Sequence, residues 1–275
     1  MENVSCVIVD YHAETALGEC IDSLRLNGVS DIVVVENGAP GSAQPFIAGG
    51  DVTLVEPRMN LGYGRGVNRG AGATKKTDYL IVSNPDVVAH AGSVEALVDY
   101  LKANPQVGVV GPQIVRPDQS VYPSHRVFPN IWLAGAHAVL SPFWKNNPAT
   151  KKYRSTRSDG TVDWVSGAFF VIRRDVFERI GGFDERYFMF AEDMALCWQV
   201  QAHGYHVAAL ASARVTHIEG VSRARASRAM LIAHHRSAIR FELQTARGLR
   251  KALAPLACLV LALRLGLVLA VPPKG

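Results

Sequence analysis

Asp86 stands shortly after a stretch that predicts a strand buried on both faces, the apolar run Tyr79–Val82. The residues between them form a polar turn, since Pro85 cannot extend a hydrogen-bonded ladder. Ligands of open α/β sheets bind at the carboxyl ends of strands, where a carboxylate can hold a cation. An Asn-Pro-Asp turn without any chemical role is the alternative, because such turns are common.

A second acidic group, the adjacent carboxylates Glu192 and Asp193, stands at the start of a helix predicted to run to His203. Simple capping could explain the pair, since acidic residues near a helix N-terminus are favourable to the helix dipole. The aromatic residues Phe188 and Phe190 just before the pair favour a pocket in which burial adjusts the pKa of a carboxyl group. We therefore expect acid-base chemistry here.

His217 follows a strand predicted over Val207–Val215. A single histidine at the end of a strand is often structural, but this one occupies the same kind of position as Asp86. A role as a ligand therefore stays open beside the structural one.

Glycines recur between Asn60 and Gly70, but no register of the segment gives Gly-x-Gly-x-x-Gly. The sequence therefore excludes the dinucleotide-binding fingerprint. Glycines still permit close approach of the backbone, so Arg65 and nearby amides could contact a nucleotide. The alternative is a tight loop whose glycines serve only helix packing.

Alternating strands and amphipathic helices must position these residues. The polar groups Asp10-Tyr11-His12 and Glu36-Asn37-Gly38 follow the first two strands. Residues 117–160 have no clear period, and we expect a functional segment there. The predicted strands are Val4–Val9, Asp31–Val35, Val52–Val55, Tyr79–Val82, Val107–Val110, Ile114-Val115, Asp163–Ile172 and Val207–Val215.

The composition predicts a globular protein that stays inside the cell. Apolar residues make up 48% of the 275 residues, enough for a sizeable core, and no basic leader precedes the first strand. The four cysteines lack Cys-x-x-Cys spacing, which favours reduced core residues over zinc or disulfides. Residues 1–221 are mildly acidic, which argues against nucleic-acid binding.

Seven motifs in one order resemble a known protein family. They cover residues 4 to about 222 and are jointly specific, although each is short. In chain order they are Val7–His12, Val34–Asn37, Asn60–Tyr63, Asn84–Asp86, Trp164–Ala168, Gly181–Glu185 and Glu192-Asp193. The chain resembles the inverting glycosyltransferase family 2, in particular its bacterial rhamnosyltransferase-like branch.

The resemblance implies an α/β fold of the GT-A type, a nucleotide-binding sandwich with a mixed central sheet flanked by helices. It implies a transferase domain over residues 1–222, with a nucleotide-sugar half over about 1–115 and an acceptor half over about 116–222, and a helical tail over 223–275. The implied activity moves L-rhamnose from dTDP-rhamnose to N-acetylglucosaminyl-diphospho-polyprenol for a cell-wall linker. Another donor (UDP-galactofuranose, UDP-glucose or GDP-mannose), another polysaccharide acceptor, or a non-catalytic nucleotide-sugar-binding role stays open; homo-oligomerisation is a further open point.

The resemblance also implies residue roles. Asp193 would take the proton of the acceptor hydroxyl, Asp86 and His217 would hold Mg²⁺ or Mn²⁺ on the diphosphate, and Glu36 would read the nucleotide base. The implied donor-nucleotide residues are Asp10, Tyr11, His12, Glu36, Asn37, Asn60, Gly62, Arg65 and Asn84. The implied acceptor or sugar pocket comprises Trp164, Ser166, Gly167 and Glu192.

Three positions depart from the family's usual residues. Asn84 replaces the first acid of the metal motif, His12 stands where Asn is usual, and Glu36 stands where Asp is usual. Asp86 is thereby left as the one carboxylate of its motif. Since Mg²⁺ in proteins commonly uses one or two carboxylates together with substrate phosphates, Asp86 still suffices.

The tail combines charge with apolar length. Residues 222–251 hold eight Lys and Arg residues and one acidic residue, and residues 252–271 are apolar except for Arg264. We expect this tail to lie on the cytoplasmic face of the plasma membrane, close to a lipid-linked acceptor. A membrane span, or a buried core or dimer helix, are the alternatives.

Overall fold

A mixed β-sheet forms the centre of this computed structural model, which describes residues 3–47, 52–128, 144, 147–148, 159–218 and 228–270. Within these residues the sheet order is β3-β2-β1-β4-β10-β6-β11-β5, and β8 pairs with β11. The strands are β1 Val4–Asp10, β2 Asp31–Glu36, β3 Val52–Val55, β4 Tyr79–Ser83, β5 Val87–Ala89, β6 Val107–Val115, β7 His125-Arg126, β8 Gly160–Val162, β9 Trp164-Val165, β10 Phe169–Arg173 and β11 His206–His217.

Helices cover both faces of the sheet. They are α1 Thr15–Leu26, α2 Tyr63–Ala71, α3 Ser93–Ala103, α4 Arg174–Arg179, α5 Glu192–Ala202, α6 Arg228–Thr245 and α7 Leu249–Ala270. Helices α1 and α3 pack on one face and α2, α4 and α5 on the other. Each face is therefore a separate apolar layer, and the continuous apolar runs of β1, β2 and β4 are buried on both sides.

Register brings the polar strand ends together. Strands β1, β2, β3 and β4 run parallel, and Asp10 at the end of β1 lies opposite Glu36 at the end of β2. On the far side of the sheet β11 runs antiparallel to β5, with His217 opposite Val87. Because Asp86 immediately precedes Val87, this register places Asp86 beside His217.

Several predicted elements differ in their bounds. The strand expected over Asp163–Ile172 is divided into β9 and β10, and the two short strands expected over Val107–Val115 form the single strand β6. Strand β9 pairs with β7 in a separate two-stranded sheet, and segment 166–168 connects it to β10 in the central sheet. Helix α5 begins at Glu192, and β11 extends to His217, so both functional candidates lie inside regular elements.

The C-terminal helices pack against the rest of the protein. The Tyr187 hydroxyl donates to Gln244 Oε1 (2.8 Å), and Arg250 Nη2 lies 2.6 Å from Glu242 Oε2, tying α7 to α6. Among the described residues, no helix combines the length and the apolar character needed to cross a bilayer. All four cysteines are free, as predicted from their spacing.

Candidate active site

A cavity of about 870 Å³ opens at the carboxyl edge of the parallel strands; we refer to it as the main cavity. It gathers most of the residues predicted from sequence, although these come from strand ends, loops and the start of α5. The predicted residues that line it are Tyr11, Asn37, Asn60, Gly62, Asn84, Asp86, Trp164, Ser166, Gly167, Glu192, Asp193 and His217.

Asp86 and His217 form a buried pair on one wall. Their facing atoms, Oδ1 and Nε2, lie 3.1 Å apart, and the Asn84 side-chain nitrogen is 3.5 Å from the same His217 atom. Tyr122 stacks edge-on against the imidazole, with ring centroids 6.3 Å apart. These contacts fix the imidazole beside the carboxylate.

This pair fits a divalent cation. Two adjacent ligands of an octahedral Mg²⁺ ion, each at about 2.0–2.1 Å from it, are separated by about 3 Å, close to the observed Asp86–His217 distance. The described residues contain no cluster of three or more His, Cys, Asp or Glu side chains able to hold a metal. Phosphate and water oxygens are ligands that could complete the coordination of a cation at this pair. The Nδ1 atom of His217 is buried without a hydrogen-bond partner among these residues, so the imidazole is free to change tautomer when a ligand arrives.

Glu192 and Asp193 form the second chemical centre, at the start of α5. The amides of Gly167 and Met194 donate to Asp193 Oδ2 (2.9 Å) and Oδ1 (2.8 Å). Burial raises the pKa of both carboxyl groups, but these donors favour the charged form of Asp193. Glu192 Oε2 is buried without a hydrogen-bond partner among the described residues, which favours the protonated form of Glu192 and the ionised form of Asp193.

The peptide groups of Gly167 make hydrogen bonds to two other parts of the chain, at Asp193 and Tyr63. Its amide donates to Asp193, while its carbonyl accepts a hydrogen bond from the Tyr63 hydroxyl (2.5 Å). A Cβ at this position would lie 3.2 Å from the Asp193 Cβ, so the backbone approaches the carboxylate as closely as a glycine allows. Segment 166–168 makes these contacts between β9 and β10, which belong to different sheets, and the predicted strand is interrupted there.

Four predicted residues do not line the main cavity. The carboxylate of Glu36 accepts hydrogen bonds from the amides of Gly41 and Ala43 and from the Ser42 hydroxyl. The side chain is therefore directed toward the 41–43 loop. Arg65 is exposed, and its Nε donates to the Glu185 carbonyl (2.8 Å). The other two are Asp10, which is buried and accepts from the Ala13 amide, and His12, which is exposed beside Tyr11.

Sequence reasoning missed other residues of the main cavity. Arg126 lies in the segment without period, and its guanidinium is 5.9 Å from the Trp164 ring centroid. Phe190 and Ala191 adopt φ values of 66° and 61°, a left-handed backbone that costs non-glycine residues about 1–3 kcal/mol each. This strained turn places the next two residues, the carboxylate pair, at the rim. No residue type in the sequence signals such a turn.

The sequence profile described as "Glycosyltransferase like family 2" matches residues 2–237, most of the chain. The chain belongs to this family. The predictions of an enzyme and of a glycosyltransferase are thereby confirmed at the level of the family. The match also extends into α6, whose residues Ala229, Met230 and His234 line the main cavity.

Curated proteins that are similar to this chain include two rhamnosyltransferases. An N-acetylglucosaminyl-diphospho-decaprenol L-rhamnosyltransferase of Mycobacterium tuberculosis is 42% identical over 200 residues, covering 68% of this chain. This chain spans 65% of that relative's length. The rhamnosyltransferase WbbL of Escherichia coli is 27% identical over 128 residues, 46% of this chain and 47% of the relative.

Solved structures share the fold of this glycosyltransferase. GalNAc-T7, crystallised with UDP, GalNAc and Mn²⁺, superposes with a TM-score of 0.60 at 18% identity, covering 78% of this chain and 43% of its own. The Pyrobaculum calidifontis mannosyltransferase PcManGT, in complex with GDP-Man and Mn²⁺, gives 0.58 at 16% identity, covering 99% and 76%. The predicted GT-A-like α/β fold, with its mixed central sheet and flanking helices, is confirmed.

Gly62 offers a test of how the donor-side loop is held. It has φ +80°, and a Cβ added there would lie 2.2 Å from the Phe188 carbonyl oxygen, which accepts a hydrogen bond from the Tyr63 amide. Gly62→Ala is expected to lower the free energy of unfolding by about 2–4 kcal/mol, because backbone strain and overpacking add. It should also weaken nucleotide-sugar binding.

The matched control is Gly92→Ala, whose φ is +77° but whose Cβ would have nothing within 4 Å. Gly92→Ala therefore has the backbone strain of Gly62→Ala but no collision of the added Cβ with other atoms. Denaturant unfolding of both variants, together with nucleotide-sugar titration, measures the difference. Equal losses of stability would show that the contact with Phe188 is unimportant.

Proposed function

We propose that this family 2 glycosyltransferase moves L-rhamnose from dTDP-rhamnose to N-acetylglucosaminyl-diphospho-polyprenol with inversion at the sugar carbon. The observation that carries the proposal is that one cavity holds two groups. The Asp86–His217 pair fits a cation, and the Asp193 carboxylate has its position fixed by backbone amides. Displacement of a nucleoside diphosphate needs both groups. The Mycobacterium tuberculosis relative supports the choice of donor sugar and acceptor.

The donor occupies the part of the main cavity built by residues of the first 115 positions. Tyr11, Asn37 and Asn60 line that part, and Asn37 fastens the 61–62 backbone by donating to the Gly62 carbonyl (2.9 Å). Asp86 and His217 would hold the divalent ion, Mg²⁺ or Mn²⁺, beside the donor diphosphate. When bound, the ion neutralises the charge that develops on the leaving diphosphate.

Asp193 acts on the acceptor. Its carboxylate accepts the proton of the acceptor hydroxyl while that oxygen attacks the anomeric carbon and the nucleoside diphosphate departs. The protonated Glu192 beside it places no second negative charge against the approaching oxygen. Trp164, Ser166 and Gly167 line the same part of the main cavity and would contact the two sugars.

A stripe of exposed apolar residues on α7 supports association of this enzyme with the cytoplasmic face of the plasma membrane. Leu256, Leu259, Val260 and Leu263 are each more than half exposed and recur at i, i+3, i+4 and i+7, which places them on one face. Ala254 and Ala257 on the same helix are buried. Such a helix lies in the plane of a bilayer surface with its apolar face inserted.

Replacing Leu259 and Leu263 together by glutamate is expected to reduce binding to vesicles that contain anionic phospholipid by at least about tenfold, since two apolar contacts with the bilayer are lost. Co-sedimentation of the full chain measures the effect. Leu26→Glu, at a leucine that is 86% exposed on α1, is the matched control and should bind like the parent protein. Unchanged binding of the double variant would exclude this face of α7 as the membrane contact.

Thermal shift with a panel of nucleotide sugars tests the donor. In the presence of Mn²⁺, dTDP-rhamnose at 100 times its Kd should stabilise the protein by about 2.7 kcal/mol, or roughly 5–10 °C in Tm. UDP-galactofuranose, UDP-glucose and GDP-mannose should give smaller shifts. A larger shift with one of these, followed by transfer of that sugar, would replace the proposed donor. Product formation on N-acetylglucosaminyl-diphospho-polyprenol then tests the acceptor.

A further inference from the structure

A second cavity, of about 600 Å³, lies between α6 and the loop before α5. It shares the lining residues Phe188, Met189, Ala229 and Met230 with the main cavity, so the two cavities are adjacent. Its size falls in the range of about 300–1,000 Å³ that is typical of ligand pockets. No residue predicted from sequence lines it.

The second cavity combines arginines with an apolar lining. Three arginines line it, Arg186, Arg236 and Arg240, and the lining contains no acidic residue among those the structure describes. Arg186 is already paired with Asp184, at 2.6 Å. The basic groups therefore exceed the acidic ones at this place, which favours an anion.

The sequence of α6 builds the groove. Ala229, Ala233 and Ser237 repeat every four residues and provide a floor of small side chains. Ile232 and Arg236, also four residues apart, form one edge. Ser237 Oγ donates to the Met189 carbonyl (2.8 Å) and holds this floor against the opposite wall.

Arg236 is the group best placed to take a ligand. Arg240 lies over the Tyr187 ring at 5.9 Å, and Arg186 is engaged by Asp184, whereas Arg236 is exposed and has neither an ion pair nor a ring contact with any described residue. A guanidinium presents paired donors that match the oxygens of a phosphate.

We propose that the second cavity binds the polyprenyl diphosphate portion of the acceptor, with Arg236 on the diphosphate and Phe188, Met189 and Ile232 on the first isoprene units. This inference rests on the proposed function. The acceptor sugar is attached to the diphosphate at its anomeric carbon, so a sugar held at Asp193 must send its diphosphate out through one side of the main cavity. The four shared residues border that side, and the arginines and apolar side chains of the second cavity lie next to them.

Binding of farnesyl diphosphate to the full chain, measured by titration calorimetry in EDTA, tests this site without donor, metal or turnover. Arg236→Ala is expected to weaken binding about tenfold or more, the usual effect of losing a charged hydrogen bond. Arg69→Ala removes an exposed helical arginine outside both cavities and should leave binding unchanged. Ile232→Gln, which removes an apolar contact without adding charge, should weaken binding of farnesyl diphosphate and leave that of inorganic diphosphate unaffected.

Equal affinity of Arg236→Ala and the parent protein, or no binding by the parent protein, would overturn the inference. Unchanged Tm values would show that each variant is folded. The outcome separates from that of the proposed function. Rhamnosyl transfer with an unaltered acceptor KM in Arg236→Ala refutes only this site, whereas farnesyl diphosphate binding without rhamnosyl transfer refutes only the donor assignment.

Discussion

Asp193→Asn is expected to lower kcat by about 10²–10⁴, the usual contribution of a general base. The amide has nearly the shape of the carboxylate, and its one oxygen can still accept from one of the two backbone donors, Gly167 or Met194, so the local fold should survive the loss of the other hydrogen bond. It cannot accept the proton of the acceptor hydroxyl. Donor affinity should stay within about twofold, because binding and proton transfer use different walls of the main cavity.

Glu192→Gln is the matched control for this result. Burial raises the pKa of Glu192, so its carboxyl group is protonated near neutral pH and an amide replaces it with little electrostatic change. We expect kcat within a few-fold of the parent value. Single-turnover transfer rates with titration of the nucleotide sugar distinguish the variants. An inactive Glu192→Gln beside an active Asp193→Asn would move the base to Glu192.

The pH dependence of the transfer rate tests the same assignment of Asp193 as the base. A base must be ionised to accept a proton, so the rate should fall as pH decreases through the pKa of Asp193. Burial raises that pKa, and the acidic limb should therefore lie above the ordinary range of an aspartate.

The central fold could be predicted because its strands are continuous apolar runs with polar ends. Val4–Val9, Asp31–Val35 and Tyr79–Val82 were recognisable on this basis, and the structure buries every residue of β1, β2 and β4. Pairing between distant strands was not readable from any local pattern. The insertion of β10 antiparallel between β4 and β6 depends on contacts across almost a hundred residues.

The gathering of residues at the main cavity was predictable where residue type and strand position agree, as at Asp86 and His217. The direction of a side chain was not predictable where contacts with a loop determine it. Glu36 has the residue type expected of a ligand, yet the amides of the 41–43 loop occupy its carboxylate. Arg65 lies in a glycine-rich segment that approaches the main cavity, but helical geometry directs its side chain to Glu185. The sequence alone does not show which face of a helix is directed toward the cavity.

Asp86→Asn is expected to abolish the dependence of donor binding on Mn²⁺ and to lower kcat/KM by at least about 100-fold. The carboxylate is the one charged ligand of the proposed cation, and an amide oxygen is a much weaker partner for it. The Asp86 carbonyl would still accept the Ile218 amide (2.9 Å), so β5 and β11 should remain joined. Loss of metal dependence would then reflect chemistry and not unfolding.

Titration of the nucleotide sugar with and without Mn²⁺ measures this effect. Asp99→Asn removes a carboxylate from the exposed face of α3 and should keep the metal dependence of the parent protein. His217→Ala should reduce that dependence without removing it, because the charged ligand stays. If Asp86→Asn responds to Mn²⁺ as the parent does, the cation lies elsewhere. The 3.1 Å pair would then be a structural hydrogen bond that closes the antiparallel edge of the sheet.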